Sequence, residues 1–347
     1  MNQLSQLAPA IFAALMTYVS LPHALVLFPE WKLLDRPERY GLTRKPIPYS
    51  GGIVIFLVVL IGTLLFVELS PIIIGVIVAA TLVTLVSFWD DRKNISPWIR
   101  LATQVLAGAI LVFSGVEIQQ ISNPFGEPIL LDRFSFEIFG QTIWLLSAVG
   151  IIIWIVLMMN VMNWLDGIPG LTSGISTIAH ASLYLLAIQQ FHIVDQSAVI
   201  TMASMLAAAS LVFLCFDFTP PKILMGDTGS MFLGFMLAAL SIIAGAKFAT
   251  ALLIMGFAVI DAVWVVLARM LRGKSPIRGD LSHFHHRLLG VGISERGVLF
   301  LNYLLCLIFA SIALVLNNAF EKFVALVVVI LIMVIIGVVL IKRKIRS

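Results

Sequence analysis

Asp90 and Asp91 stand side by side at the end of an apolar run, in SFWDDRKNIS, and Asp227 lies between glycines in MGDTGS. A carboxylate at bilayer depth costs roughly 2.5–3.5 kcal/mol on insertion scales, so adjacent aspartates there ask for a reason beyond packing. Carboxylate oxygens suit a hard cation such as Mg²⁺, which bridges protein acids to substrate phosphates. The competing reading is a solvated helix end with Arg92 and Lys93 as partners. Around Asp227 the glycines and a following helix start could cradle a phosphate or metal phosphate. Alternatively, Asp227, Thr228 or Ser230 could simply cap that helix.

Three further stretches carry polar chemistry. NVMNWLDGIPG places Asn160, Asn163 and Asp166 directly behind the apolar run IIIWIVLMM, with Gly167, Pro169 and Gly170 ending any helix. GDLSHFHHRLLG carries His283, His285 and His286 beside Arg287. On a helix His283, His286 and Arg287 share a face and His285 points elsewhere. No cysteine is near, and the acidic oxygens of the other clusters favour Mg²⁺ over zinc; a His and Arg face suits phosphate oxygens. TRKPIPYSGG brings Arg44 and Lys45 ahead of a Pro-x-Pro-x-x-Gly-Gly frame, which fixes an extended segment and then permits a close turn into a helix.

The elements that must position these residues are apolar helices. Of 347 residues, 61% are hydrophobic and 12% charged, and mean hydropathy is +1.08. Soluble domains have about 45–50% apolar and 25% charged residues. Recurrent runs of about 20 apolar residues indicate a single all-α, polytopic membrane domain over 1–347 rather than a barrel. Cys215 and Cys306 both lie in apolar runs and read as small buried hydrophobes. The first apolar stretch has no positive region before it and no small-residue cleavage site, so it reads as a retained span.

Breaks at Pro, Gly and charge clusters place eleven spans, or ten, near 8–28, 51–69, 71–89, 98–116, 142–159, 171–190, 197–216, 230–247, 249–270, 297–317 and 323–341. Ser70–Pro71 and the break around Lys247 could each be a kink instead of a turn. This layout puts all of the 22 Lys and Arg on one side except Arg133, Lys247 and Lys322. Cytoplasmic loops hold such an excess, so the N-terminus is expected outside and the C-terminus inside, with 117–141 an external loop. The polar stretches then all fall at the cytoplasmic face, where one site could gather them.

Together the stretches resemble the polyprenyl-phosphate N-acetylhexosamine-1-phosphate transferases, glycosyltransferase family 4. RKPIPYSGG, DDRKN, NVMNWLDG, PPKILMGDTGS and DLSHFHHRL match that family's segments in order, and the His-x-His-His-Arg-Leu form is closer to its GlcNAc-1-phosphate branch than to the phospho-MurNAc-pentapeptide translocase. The resemblance implies transfer of a sugar-1-phosphate from a UDP-sugar to polyprenyl phosphate with release of UMP, an early membrane step of envelope glycan synthesis such as lipopolysaccharide or teichoic acid. It implies Mg²⁺, or Mn²⁺, held by Asp227 with Asn163 in the ligand set. Asp90 would be a base near the acceptor phosphate and Asp91 a support for metal or lysine geometry. Lys45, Lys222, His283, His285, His286 and Arg287 would hold phosphates, and Asn160, Asn163 and Asp166 would line the nucleotide-sugar pocket. A homodimer in a bacterial cytoplasmic membrane is open; no nucleic acid partner is expected.

Three positions depart from the family pattern. Pro169 stands where many members have aspartate, Asp217 where they commonly carry asparagine, and Asn94 where other branches have Asp or Lys. A lost and a gained acid could preserve local charge if positions 169 and 217 are close. The rivals are the translocase and, from a different class, a proton-coupled transporter. Asp261, the one acid placed mid-span, is what a transporter would use.

Overall fold

The computed structural model describes residues 3–40, 43–138, 140–191, 195–245, 248–273, 283–316 and 318–346, with backbone alone at 3–6, 39–40, 248–249 and 337–346. Its helices are α1 (Gln3–Glu30), α2 (Gly52–Phe66), α3 (Pro71–Lys93), α4 (Pro97–Phe113), α5 (Leu145–Leu165), α6 (Leu171–Gln190) and α7 (Ser197–Asp217). They continue as α8 (Gly226–Ile243), α9 (Phe248–Ile254), α10 (Gly256–Met270), α11 (Phe284–Gly290), α12 (Glu295–Val315) and α13 (Ala319–Arg346). Among the described residues eight are long and apolar enough to cross a membrane, and α2 and α4 are shorter apolar helices. The chain is a multi-pass helical membrane protein.

A helix underlies each expected span, while the ninth span and the 117–141 loop differ in detail. The ninth span is broken at Met255 into α9 and α10. Ser70 and Pro71 form a true turn: α2 ends at Phe66, the Ser70 hydroxyl accepts from the Ile73 N–H (3.3 Å), and Pro71 begins α3. Lys247 lies outside the described residues, between the ends of α8 and α9. The expected loop 117–141 is two antiparallel hairpins, β1 (Gln120–Ile121) with β2 (Ile129–Leu130) and β3 (Ser135–Ile138) with β4 (Gln141–Trp144). They depart from an all-α fold, and alternation in SFEIFGQTIW is their visible trace.

The centre of the bundle is α8, buried continuously from Thr228 to Ile242. A helix apolar all round belongs in such a place. Small residues let its neighbours approach: a Cβ on Gly52 would lie 2.0 Å from the Gly229 Cα, so α2 and α8 touch backbone to backbone. That is the packing expected of helices in lipid, where van der Waals fit replaces the hydrophobic drive between helices. By contrast α13 shows Leu331 and Ile335 outward, 56% and 62% exposed, as a lipid-facing helix does.

The segment before α2 locks the start of α8. The Leu224 N–H donates to the Pro48 carbonyl (2.9 Å), Gly51 N–H to Leu224 (2.9 Å) and Gly52 N–H to Met225 (3.0 Å). At its other end Asp35 accepts from Arg44 and from the Ile47 N–H (2.8 Å). The Pro-x-Pro-x-x-Gly-Gly frame is therefore the extended edge that fixes where Asp227 begins its helix.

Candidate active site

The first turn of α8 starts at Gly226, four residues before the expected start of that span at 230, and it is already capped. Asp91, from the end of α3, accepts the Asp227 N–H (2.9 Å), the Thr228 N–H (3.2 Å) and the Thr228 hydroxyl. The free N–H groups of a helix start are thus taken by a carboxylate 136 residues away, and neither Asp227, Thr228 nor Ser230 acts as the cap. An acid at this helix end is favoured by the helix dipole as well as by its hydrogen bonds. Asp91 consequently positions α8, while Asp227 points its side chain into the opening.

Asp90, Asn163 and Asp227 converge on Arg100. The Arg100 Nε is 3.3 Å from Asp90 Oδ2, its Nη2 is 3.2 Å from Asp227 Oδ2, and it donates to Asn163 Oδ1 at 2.8 Å. Asn163 in turn donates to Asp227 Oδ1 (2.9 Å) and to the Ser230 hydroxyl (3.1 Å). Asp90 also accepts the Ile95 N–H (2.8 Å) and is nearly enclosed, its side chain 7% exposed. Asp227 at 24% and Arg100 at 30% remain open to an incoming group. No sequence motif singles out Arg100. The missed signal is its place in the first turn of α4, where a cation opposes the helix dipole and so needs a compensating acid.

The turn after α5 places Asp166 beside this cluster. As the sequence suggested for a continued helix, α5 runs on to Leu165, so Asn160 and Asn163 are helical and Asp166 follows at its end. Burial, then Asp217 and Asp227 nearby, hold the Asp166 carboxyl well above the usual carboxylate range. Positions 169 and 217 prove to be neighbours: the Gly170 N–H donates to Asp217 Oδ2 (3.0 Å), which also accepts the Ser173 hydroxyl (2.8 Å). The gained acid therefore stands against the turn from which an acid is missing.

The histidine segment closes over the same turn. His283 precedes α11 in extended conformation, and its ring stacks on Trp164 at 5.5 Å. Because α11 begins only at Phe284, His285 does not point away as expected; it is buried, stacked with His283 at 6.0 Å and against His286 at 4.2 Å. Burial, then His286, His283 and Arg287, hold its pKa well below the ordinary imidazole value. A Cβ on Gly167 would come within 2.6 Å of His285 Nε2 and 2.9 Å of His286 Nε2, which is why the turn has glycine there. Arg287 donates to Asp261 of α10. Asp280 and the rest of 274–282 lie outside the described residues.

For three expected site residues the structure shows other contacts. Both Asn160 amide hydrogens go to Gln104 Oε1 (2.8 Å) and the Val156 carbonyl (2.7 Å), so this side chain ties α5 to α4. The Lys222 ammonium lies over the Phe216 ring at 5.6 Å. Lys45 is exposed, and no contact joins it to the acids among the described residues. Asp90, Asn163 and Asp227 are hard oxygen donors within reach of one guanidinium and fit Mg²⁺ chemically. Among the described residues no group of three or more His, Cys, Asp or Glu forms a ready cage.

Comparisons with known proteins identify the family. Residues 73–245 match the model of glycosyl transferase family 4. The chain is 30% identical over 326 residues to the decaprenyl-phosphate N-acetylglucosaminephosphotransferase of Mycolicibacterium smegmatis, covering 84% of this chain and 77% of that one. It is 29% identical over 318 residues to the probable undecaprenyl-phosphate N-acetylglucosaminyl 1-phosphate transferase of Bacillus subtilis, 87% and 84% of the two chains. It is also 28% identical over 336 residues to the phospho-N-acetylmuramoyl-pentapeptide-transferase of Borrelia hermsii, 88% and 92% of the two. The chain belongs to glycosyl transferase family 4.

Proposed function

We propose that this chain transfers N-acetylglucosamine-1-phosphate from UDP-N-acetylglucosamine to a polyprenyl phosphate and releases UMP, at the cytoplasmic face of a bacterial membrane. The observation that carries the reading is the meeting of Asp90, Asn163 and Asp227 on Arg100, from four different helices. The names of the Bacillus and Mycolicibacterium relatives support the sugar and the acceptor. The bias of Lys and Arg supports the cytoplasmic face.

In the reaction an oxygen of the acceptor phosphate bonds to the phosphorus that bears the sugar, and the bond from that phosphorus to the UMP oxygen breaks. A phosphate monoester has a second pKa near 6 and is mostly dianionic at pH 7, so it needs no strong base. The obstacle is repulsion between that dianion and a negative pyrophosphate. Arg100 answers it by meeting phosphate oxygens at the open side of the cluster, and the His283–Arg287 segment supplies donors from the opposite wall. Asp227, with Asn163, would hold Mg²⁺ or Mn²⁺. Such an ion, when bound, neutralises charge developing on the leaving UMP. Asp166 and the turn kept in place by Asp217 form the donor's side of the site. A homodimer is a further proposal, which mass measurement in detergent checks.

Asp227→Asn should lower UMP release from UDP-N-acetylglucosamine by at least about 10³-fold, the scale on which a preorganised charged group in a dry site is felt, in protein that still inserts and folds. Wild-type turnover would remove Asp227 from the mechanism. Parallel assays with UDP-MurNAc-pentapeptide separate this reading from the translocase, since product from that donor alone would favour the latter. Asp261, the acid a transporter would use, is already paired with the histidine segment.

A further inference from the structure

Asp261 lies on α10, about 14 Å of helix from its end at Met270 at 1.5 Å per residue. It is 6% exposed. Its carboxylate receives three donors from one short downstream stretch: Oδ2 accepts His283 Nδ1 (3.0 Å) and the Phe284 N–H (2.9 Å), and Oδ1 accepts Arg287 Nη2. Each does something different. The Phe284 bond supplies the cap that the His283 side chain does not give to α11. The Nδ1 bond fixes the ring's orientation and, in its neutral form, leaves Nε2 as the acceptor. The Arg287 pair fixes the guanidinium one turn on.

What these groups lean against is the active turn. The His283 ring stacks on Trp164, and His285 and His286 crowd Gly167, between Asn163 and Asp166 on one side and Asp217's partner Gly170 on the other. A buried acid in an apolar helix is expensive unless paired, so one acid holding three donors of the same segment is a specific arrangement. We infer that Asp261 is the positioning residue of the histidine segment, holding His283 and Arg287 in register against the 164–167 turn so that they meet the substrate phosphates already arranged. The kinetic part of this inference rests on the transferase reading above; the structural part does not.

The test uses full-length protein in detergent or nanodiscs, as wild type, Asp261→Asn and Asp261→Glu. Hydrogen exchange, measured without substrate, should be at least tenfold faster over 283–290 in Asp261→Asn, with α5 and α8 unchanged. Unchanged exchange there overturns the inference whatever the enzyme's activity. In the UMP-release assay Asp261→Asn should lose about 10- to 100-fold in kcat/KM, the usual effect of removing the partner that orients a working histidine, with kcat falling as well as KM rising. Asp261→Glu should recover part of it. Faster exchange with wild-type kcat and KM would make Asp261 merely structural and overturn the positioning role. If wild type itself releases no UMP from either donor, the transferase reading fails, and the exchange result still decides whether Asp261 holds the segment.

Discussion

The acid cluster and the histidine cluster face each other across the 163–167 turn and have opposite electrostatic make-up. Around Arg100 two carboxylates and an amide share one guanidinium that is itself partly open. Around Asp261 one buried carboxylate is surrounded by three donors. The first cluster carries surplus negative charge and can take another cation; the second gathers its donors round one buried acid, which holds their arrangement. Chemistry that must bring two anions together needs the first kind of site, and the second kind keeps its wall from moving.

The strongest way to break this comparison is to remove the shared cation. Arg100→Ala should reduce kcat/KM for UMP release by about 10²-fold, as loss of a preorganised donor does. It should also lower the thermal midpoint of Mg²⁺-free protein, with added Mg²⁺ restoring most of the midpoint. A midpoint indifferent to Mg²⁺ would mean that the cluster has no surplus charge to neutralise.

A smaller effect is expected where a carboxylate acts through the backbone. Asp91→Ala removes a cap, three hydrogen bonds, from the start of α8. Loss of a cap costs about 1–2 kcal/mol, so the thermal midpoint should fall with or without Mg²⁺, in contrast to the Arg100 variant. If Asp91→Ala instead showed full stability and lost metal response, Asp91 would belong with the first cluster. The smallest effect belongs to Asn160, whose amide joins two helices. Asn160→Ala should cost about 1 kcal/mol in stability and leave KM for the UDP-sugar within about threefold; a tenfold rise in KM would return Asn160 to the nucleotide pocket.

Much of this was visible in the chain itself. Apolar runs and their Pro, Gly and Ser breaks determined the helical bundle, because lipid leaves the backbone little choice but to satisfy itself within a helix. Ordered polar motifs at one side determined which acids and histidines to watch. The sequence could not show that Asp91 caps α8 from 136 residues away, that Arg100 joins Asp90 to Asp227, or that Asn160 faces Gln104. Nor could it show that Asp217 stands against Gly170 or that Asp261 holds His283. Each of these depends on which helices touch and at what rotation. Local propensity and periodicity say nothing about partners a hundred residues apart. In a bundle packed backbone to backbone, as at Gly52 and Gly229, tertiary contact alone selects the oxygen each donor meets.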